Sequence, residues 1–251
     1  MLKAFLSALF SVAIAVAQNS PSDSITVNDT VHNHFNYKQL IVPAVLVGYG
    51  VFGLESDQLK DFNSQIREEV TEDIDQKLTI DDFSQYAPLA SVYALNLFGE
   101  KGKHNFRETA IVTATSYTIM ATSVFALKKI TKVERPNGTT NNSFPSGHTA
   151  TAFAGAELLW QEYKDKSIWY GVAGYAVATG TGLFRMYNNR HWLTDVAAGA
   201  GIGILSTKMA YWLYPFINEK ILGHTEESKT AWSFTPTYDG SRFGGALVIH
   251  F

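Results

Sequence analysis

Lys128, Arg135, Arg185, His148, His191 and Asp195 are the groups in this chain from which a phosphoryl-transfer site is most directly built. That chemistry needs neutralised charge on three equatorial oxygens, a nucleophile in line with the leaving oxygen, and a proton for that oxygen. Arg135 and Arg185 offer planar forks that grip two oxygens each, and Lys128 adds a point charge. Pro136 stiffens the turn that aims Arg135. The tetrapeptide Pro145-Ser146-Gly147-His148 stands ahead of the apolar run from Thr149 to Trp160. It is therefore expected to open a helix whose free backbone N–H groups face an anion, with Gly147 letting the anion come close. His191 and Asp195 are four apart, which puts them on one face of a helical turn. Asp195 then accepts the Nδ1 proton and leaves Nε2 free to attack.

Taken singly, each of these residues has a plainer use. Most lysines and arginines are solvated surface cations, Pro-Ser-Gly is an ordinary turn before a helix, and an aspartate suits the first turn of any helix. His148, His191 and Asp195 could also ligate Zn²⁺. Three cations aimed at the same pocket oppose a dication there, and neither metal nor cofactor is expected. His32, His34, His104, His224 and His250 have no partner in sequence and are read as surface or packing residues.

Read together, Lys-x6-Arg-Pro, Pro-Ser-Gly-His and Arg-x5-His-x3-Asp resemble, in order and interval, the signature of the type 2 phosphatidic acid phosphatase and vanadium haloperoxidase superfamily. The resemblance covers roughly residues 107 to 215. It implies an all-α, six-helix-type bundle. It also implies that His191 is a nucleophile forming a phosphohistidine, that Asp195 orients it, and that His148 is the acid to the leaving group. Lys128, Arg135, Ser146, Gly147 and Arg185 would bind phosphate. One position departs from the pattern: members usually carry Ser before the third-block Arg, and here it is Phe184.

The elements that must position these groups follow from hydropathy. Leu40–Leu54 is almost uninterruptedly apolar. Leu59, Phe62, Ile66, Val70 and Ile74 recur at amphipathic helical spacing. Ala87–Phe98 is a short apolar stretch, and Thr109–Leu127 has nineteen residues without a charge, the best candidate for a membrane span. Thr149–Trp160, Ile168–Phe184 and Val196–Ile217 read as three more helices, interrupted by Glu157 and Lys208. Small residues such as Gly199, Gly201 and Gly203 permit close helix approach. Trp232–Tyr238 and Phe243–Phe251 flank a Gly turn and read as a C-terminal β-hairpin.

The 251-residue chain carries 20 Lys and Arg against 23 Asp and Glu, so it lacks the basic excess of a general nucleic-acid binder. It has no cysteine, which excludes disulfides and thiolate metal sites. Lys3, the apolar run Ala4–Val16 and Ala15-Val16-Ala17 have the layout of an export signal. The expected organisation is a signal peptide at 1–17, a polar segment at 18–37, a helical phosphatase domain at 38–225 and a hairpin tail at 226–251. A mean hydropathy of −0.04 is low for six full spans and fits a modest membrane protein or one embedded partway.

The functional expectation is metal-independent hydrolysis of a lipid phosphomonoester or pyrophosphate at the cell envelope, periplasmic and membrane-associated. The chain looks similar to bacterial envelope phosphatases acting on lipid A, undecaprenyl pyrophosphate or phosphatidylglycerol phosphate. The rivals are a soluble nonspecific periplasmic acid phosphatase, a vanadium haloperoxidase holding vanadate in the same cradle, and an inactive membrane scaffold.

Overall fold

In the computed structural model, residues 37–72, 79–220, 231–238 and 243–250 are described. The expected export signal and the polar segment up to residue 36 lie outside them, as does the hairpin's turn. The chain divides into two compact units between Trp212 and Leu213.

A 3-10 turn, Tyr37–Leu40, leads into α1 (Ile41–Phe52), followed by α2 (Asp57–Thr71), α3 (Ile80–Ser84) and α4 (Ala87–Leu97). Then come α5 (Phe106–Thr131), α6 (Gly147–Tyr163), α7 (Ile168–Tyr187) and α8 (Leu193–Lys220). The bundle is all-α as expected, with eight α-helices among the described residues. Seven coincide with the apolar or amphipathic runs. The eighth, α3, is too short to show a hydropathy period, and it proves to be part of the site. In the second unit, β1 (Ala231–Tyr238) pairs antiparallel with β2 (Phe243–His250), Tyr238 opposite Phe243.

The helices begin where their caps dictate. Asn105 and Glu108 form a reciprocal capping box on α5, and the Ser146 and Ser167 side chains cap α6 and α7. α6 is the central helix, with α3, α4, α5 and α7 packed on it. Its sequence allows this because Ala150, Ala152, Ala154, Gly155 and Ala156 are all buried. α8 comes equally close. A Cβ built on Gly199 would stand 2.5 Å from the carbonyl oxygen of Ser146, and one on Gly155 would stand 2.8 Å from the Leu89 nitrogen. Gly199 thus lets the start of α8 lie against the start of α6, where the candidate residues lie, and Gly155 lets α4 approach α6.

The two charges that interrupt the apolar segments find each other. Lys208 Nζ donates to Glu157 Oε1 at 2.7 Å, Gln161 donates to the same oxygen, and the Tyr175 hydroxyl donates to Oε2. A second carboxylate, Glu162, is also buried; it takes the main-chain N–H of His104 at 2.9 Å and the Tyr211 hydroxyl, and lies 2.9 Å from His104 Nδ1. His104, read as a surface or packing residue, is half-buried and has a carboxylate partner. Glu157 is 1% exposed. Lys208→Met should consequently cost about 3 kcal/mol, the usual penalty of stranding a buried charge. Denaturant unfolding of wild type, this variant and Lys208→Met/Glu157→Gln measures it. The double variant should regain most of the loss, and unchanged stability in the single variant would contradict the pairing.

Among the described residues, α5 is the one helix long and apolar enough by itself to cross a membrane. α1 with its lead-in turn and α2 pass the same test only as a pair, bent by 97°. Most of the α5 surface lies outside the core, and Phe125 and Ile130 are exposed.

Candidate active site

Four helix ends meet at the candidate site: the last turns of α5 and α7 and the first turns of α6 and α8. α5 delivers Lys128, the loop after it Arg135, α6 Ser146, Gly147 and His148, and α7 Arg185. His191 does not lie on a helical turn, as its spacing from Asp195 implied. It sits in the loop two residues before α8, and only Asp195 is helical. They still meet, because Asp195 turns back to accept the Trp192 N–H at 2.9 Å, folding the loop over the helix start.

His191 is 3% exposed and Asp195 1%. His191 Nδ1 lies 3.5 Å from Asp195 Oδ2, and the Ser143 hydroxyl sits beside both. The Ser143 hydroxyl donates to Asp195 Oδ2 at 2.5 Å and stands 3.4 Å from His191 Nδ1. With its Nδ1 edge so engaged, the ring keeps Nε2 for other work. Asp195 Oδ1 is buried with no hydrogen-bond partner among the described residues. Burial, aided by Lys128 and Arg185 and opposed by Asp195, lowers the His191 pKa to about 4, so the ring is neutral near neutral pH.

The cations share one electrostatic neighbourhood. Arg135, Asp195 and Arg185 all act on Lys128, and Arg135 has its own pKa lowered by burial and then by Arg185 and Arg190, with Asp195 opposing. Lys128 Nζ is held on the carbonyl oxygens of Asn142, at 2.5 Å, and Ser143, at 3.2 Å. Arg135 Nε donates to Asn142 Oδ1 at 2.9 Å. Both side chains are thus drawn to the strand of loop that leads into Ser146.

Ser146 is fully buried, and its hydroxyl serves the fold. It caps the Thr149 N–H at 3.5 Å and pairs with the Thr149 hydroxyl at 2.8 Å, while its N–H donates to the Asp195 carbonyl at 3.0 Å. The N–H groups of Gly147 and His148, first on the helix, have no intrahelical acceptor by position. What the start of this helix leaves open to an anion is therefore its backbone.

Sequence reasoning missed the acidic side of the site. Arg185 Nη1 pairs with Asp81 Oδ2 and lies 3.6 Å from Asp82 Oδ1. Asn188 donates to the other Asp81 oxygen at 2.8 Å. His148 Nε2 stands 2.9 Å from Asp82 Oδ1. Both aspartates belong to α3, which packs on α6 and α7. No spacing rule reaches from residues 81 and 82 to 148 and 185; Ser143 and Asn142 had a weaker signal in standing just before the tetrapeptide. Asp81, Asp82 and His148 bring ligand atoms within 4.8 Å of one another, as a metal site would, but Arg185 already supplies the cation between the two carboxylates. Phe184, at the departing position, packs edge-on to Tyr187 at 6.3 Å.

Residues 109–219 match the family model described as PAP2 superfamily. These residues are a PAP2 superfamily domain. The PAP2 match contains every candidate residue named from the sequence. Over 139 residues, 55% of this chain, the sequence is 45% identical to a lipid A 1-phosphatase of Porphyromonas gingivalis. Over 75 residues, 30% of the chain, it is 36% identical to the bacitracin transport permease protein BcrC of Bacillus licheniformis. These alignments cover 31% and 35% of the two proteins, so the chain spans about a third of the length of the curated relatives it matches. Among solved structures, Aquifex aeolicus LpxE aligns with 60% of this chain and 94% of its own at 21% identity and a TM-score of 0.47. A PAP2-type phosphatidylglycerolphosphate phosphatase from Bacillus subtilis aligns with 74% of this chain and all of its own at 16% identity and a TM-score of 0.49.

Proposed function

We propose that this PAP2 domain makes the chain a metal-independent phosphatase that removes a phosphate from a lipid at the cell envelope. The observation that carries the reading is the convergence of Lys128, Arg135 and Arg185 on a buried His191–Asp195 pair, with His148 at the adjoining helix start. The three cations and the Gly147 and His148 N–H groups hold the phosphoryl oxygens. His191 Nε2 attacks phosphorus; a P–N bond forms, the P–O bond to the lipid breaks, and the leaving oxygen takes a proton from His148. His148 then removes a proton from water, whose oxygen attacks phosphorus. The P–N electron pair returns to His191, and inorganic phosphate leaves.

A lipid substrate is supported by α3. Phe83 is 78% exposed and Ile80 is also exposed, one to two residues from the aspartates that touch Arg185 and His148. Apolar surface thus borders the anion pocket, which suits an amphiphile better than a free sugar or nucleoside phosphate. Similarity to the lipid A 1-phosphatase favours lipid A within that class. In this reading residues 1–17 direct export, 38–225 carry catalysis, and α5 or the exposed apolar faces associate with the membrane. The test is hydrolysis by the purified chain of lipid A, undecaprenyl pyrophosphate, phosphatidylglycerol phosphate and an aryl phosphate, with and without chelator. The expected result is turnover of lipid in excess of the aryl ester, undiminished by chelator; no turnover of any phosphate would end the proposal.

The two histidines make the rate depend on pH in a stated direction. His191 must be neutral, so kcat/KM rises as pH climbs through about 4. His148 must be protonated; burial and then Arg185 lower its pKa, with Asp82 and Asp81 opposing, so kcat/KM falls as pH rises through a value below the usual ~6.5. A bell with an acid-side optimum is expected, and a profile flat across that window would remove the two-histidine assignment.

A further inference from the structure

We propose that Asp82 is a positioning residue for His148: its carboxylate accepts the Nε2 proton, so that Nδ1 is the nitrogen that serves the leaving oxygen. The inference rests on the phosphatase reading above. It gives the site two carboxylate–imidazole pairs, Asp195 with His191 and Asp82 with His148.

The geometry is asymmetric in a way that suits the two tasks. The His191 pair is sealed, and a neutral ring there is what a nucleophile requires. His148 is instead partly exposed, its side chain 29% accessible, and Asp82 is 53% accessible. His148 Nε2 and Asp82 Oδ1 are 2.9 Å apart, within ordinary hydrogen-bond distance. A ring bonded in that way has only Nδ1 left to exchange a proton with substrate and water. The charged groups facing His148 are Asp82 and Asp81 from α3 and Arg185 from α7. Arg185 disfavours the imidazolium that a general acid needs. The Asp81–Arg185 ion pair offsets much of that cation, and Asp82 supplies the direct hydrogen bond. The aspartates thus divide the work: Asp81, with Asn188, fixes the guanidinium, and Asp82 fixes the acid.

The position of Asp82 admits a contrary role, in which the carboxylate merely occupies the place of the substrate anion beside Arg185, 3.6 Å away. The two roles predict opposite results. Wild type, Asp82→Asn, Asp82→Glu, His148→Ala and Asp82→Asn/His148→Ala are compared by kcat and KM across pH on the best lipid phosphate of the panel. If Asp82 positions the acid, Asp82→Asn lowers kcat roughly tenfold or more near neutral pH. It also moves the descending limb down by about one pH unit, as loss of a neighbouring carboxylate should. Asp82→Glu recovers part of the loss, and Asp82→Asn adds nothing to His148→Ala. The His148 ring titration, followed by NMR, shifts in the same direction and reports independently of turnover. A lower KM with kcat retained in Asp82→Asn overturns the proposal, since the carboxylate would then be only a plug. A chelator-sensitive wild type restored by divalent cation also overturns it, because Asp82 would then be a metal ligand. If wild type hydrolyses no phosphate, the functional reading fails; if it does and Asp82→Asn matches it at every pH, only the present inference fails.

Discussion

His191→Ala should abolish turnover, by about 10⁴-fold or more, while leaving the fold in place. The size follows from its double task. In the proposed mechanism the ring supplies the attacking nitrogen, and with Ser143 it stands against Asp195 on its Nδ1 side, which leaves Nε2 for phosphorus. The fold survives because Asp195 retains the Ser143 hydroxyl and the Trp192 N–H, which hold the loop over α8 without the ring. Phosphate affinity should therefore change far less than rate, since Lys128, Arg135, Arg185 and the α6 N–H groups remain. Steady-state kinetics, with binding of inorganic phosphate measured separately, makes the distinction. In His148→Ala the prediction is different: attack can proceed with a good leaving group, and labelled phosphate should accumulate on His191. Turnover persisting in His191→Ala would place the nucleophile elsewhere.

Arg185→Ala should damage activity and stability together, and the two effects can be separated. Its guanidinium is buried, with Nη1 on Asp81 and with Nε finding no acceptor among the described residues. A buried, charged N–H without an acceptor is costly unless an anion completes it, and a phosphoryl oxygen in this pocket would do so. Loss of that contact should lower kcat/KM by about 10²- to 10³-fold, the usual effect of removing one donor to developing negative charge. Asp81, 1% exposed, would keep only Asn188. Stranding it should cost about 3 kcal/mol. The double variant Arg185→Ala/Asp81→Asn should regain most of that stability and none of the rate. Denaturation midpoints beside kinetics test both halves, and coincident recovery of stability and rate would show Arg185 to be structural only.

Much of the fold was legible because the hydropathy runs are long. Seven helices and the paired strands fall where the apolar and amphipathic segments lie, and the odd charges Glu157 and Lys208 marked a partnership that the sequence alone could not assign. The helix at Ile80–Ser84 escaped because five residues carry no period, and α3 is held by packing on α6 and α7. His191 and Asp195 come within 3.5 Å of one another, though not by the route their spacing suggested. Contact comes from a loop folded back by the Trp192 cap and not from a shared helical face. Ser146, expected to bind phosphate, has its hydroxyl engaged with Thr149, a partner that its place in the tetrapeptide did not announce.

By itself the sequence determined the parts list of the proposed site: three cations, two histidines, one carboxylate and a glycine at a helix start. Those parts lie within short intervals, where spacing and local geometry are nearly the same thing. The tertiary structure decided what charge each part feels. Asp81 and Asp82, 66 to 107 residues distant in sequence from His148, Arg185 and Asn188, reach them only because α3 docks on α6 and α7. Burial of the loop ahead of α8 is what lowers the His191 pKa. Such influences fall off with distance in space, and distance in space is the quantity that separation along a chain does not carry.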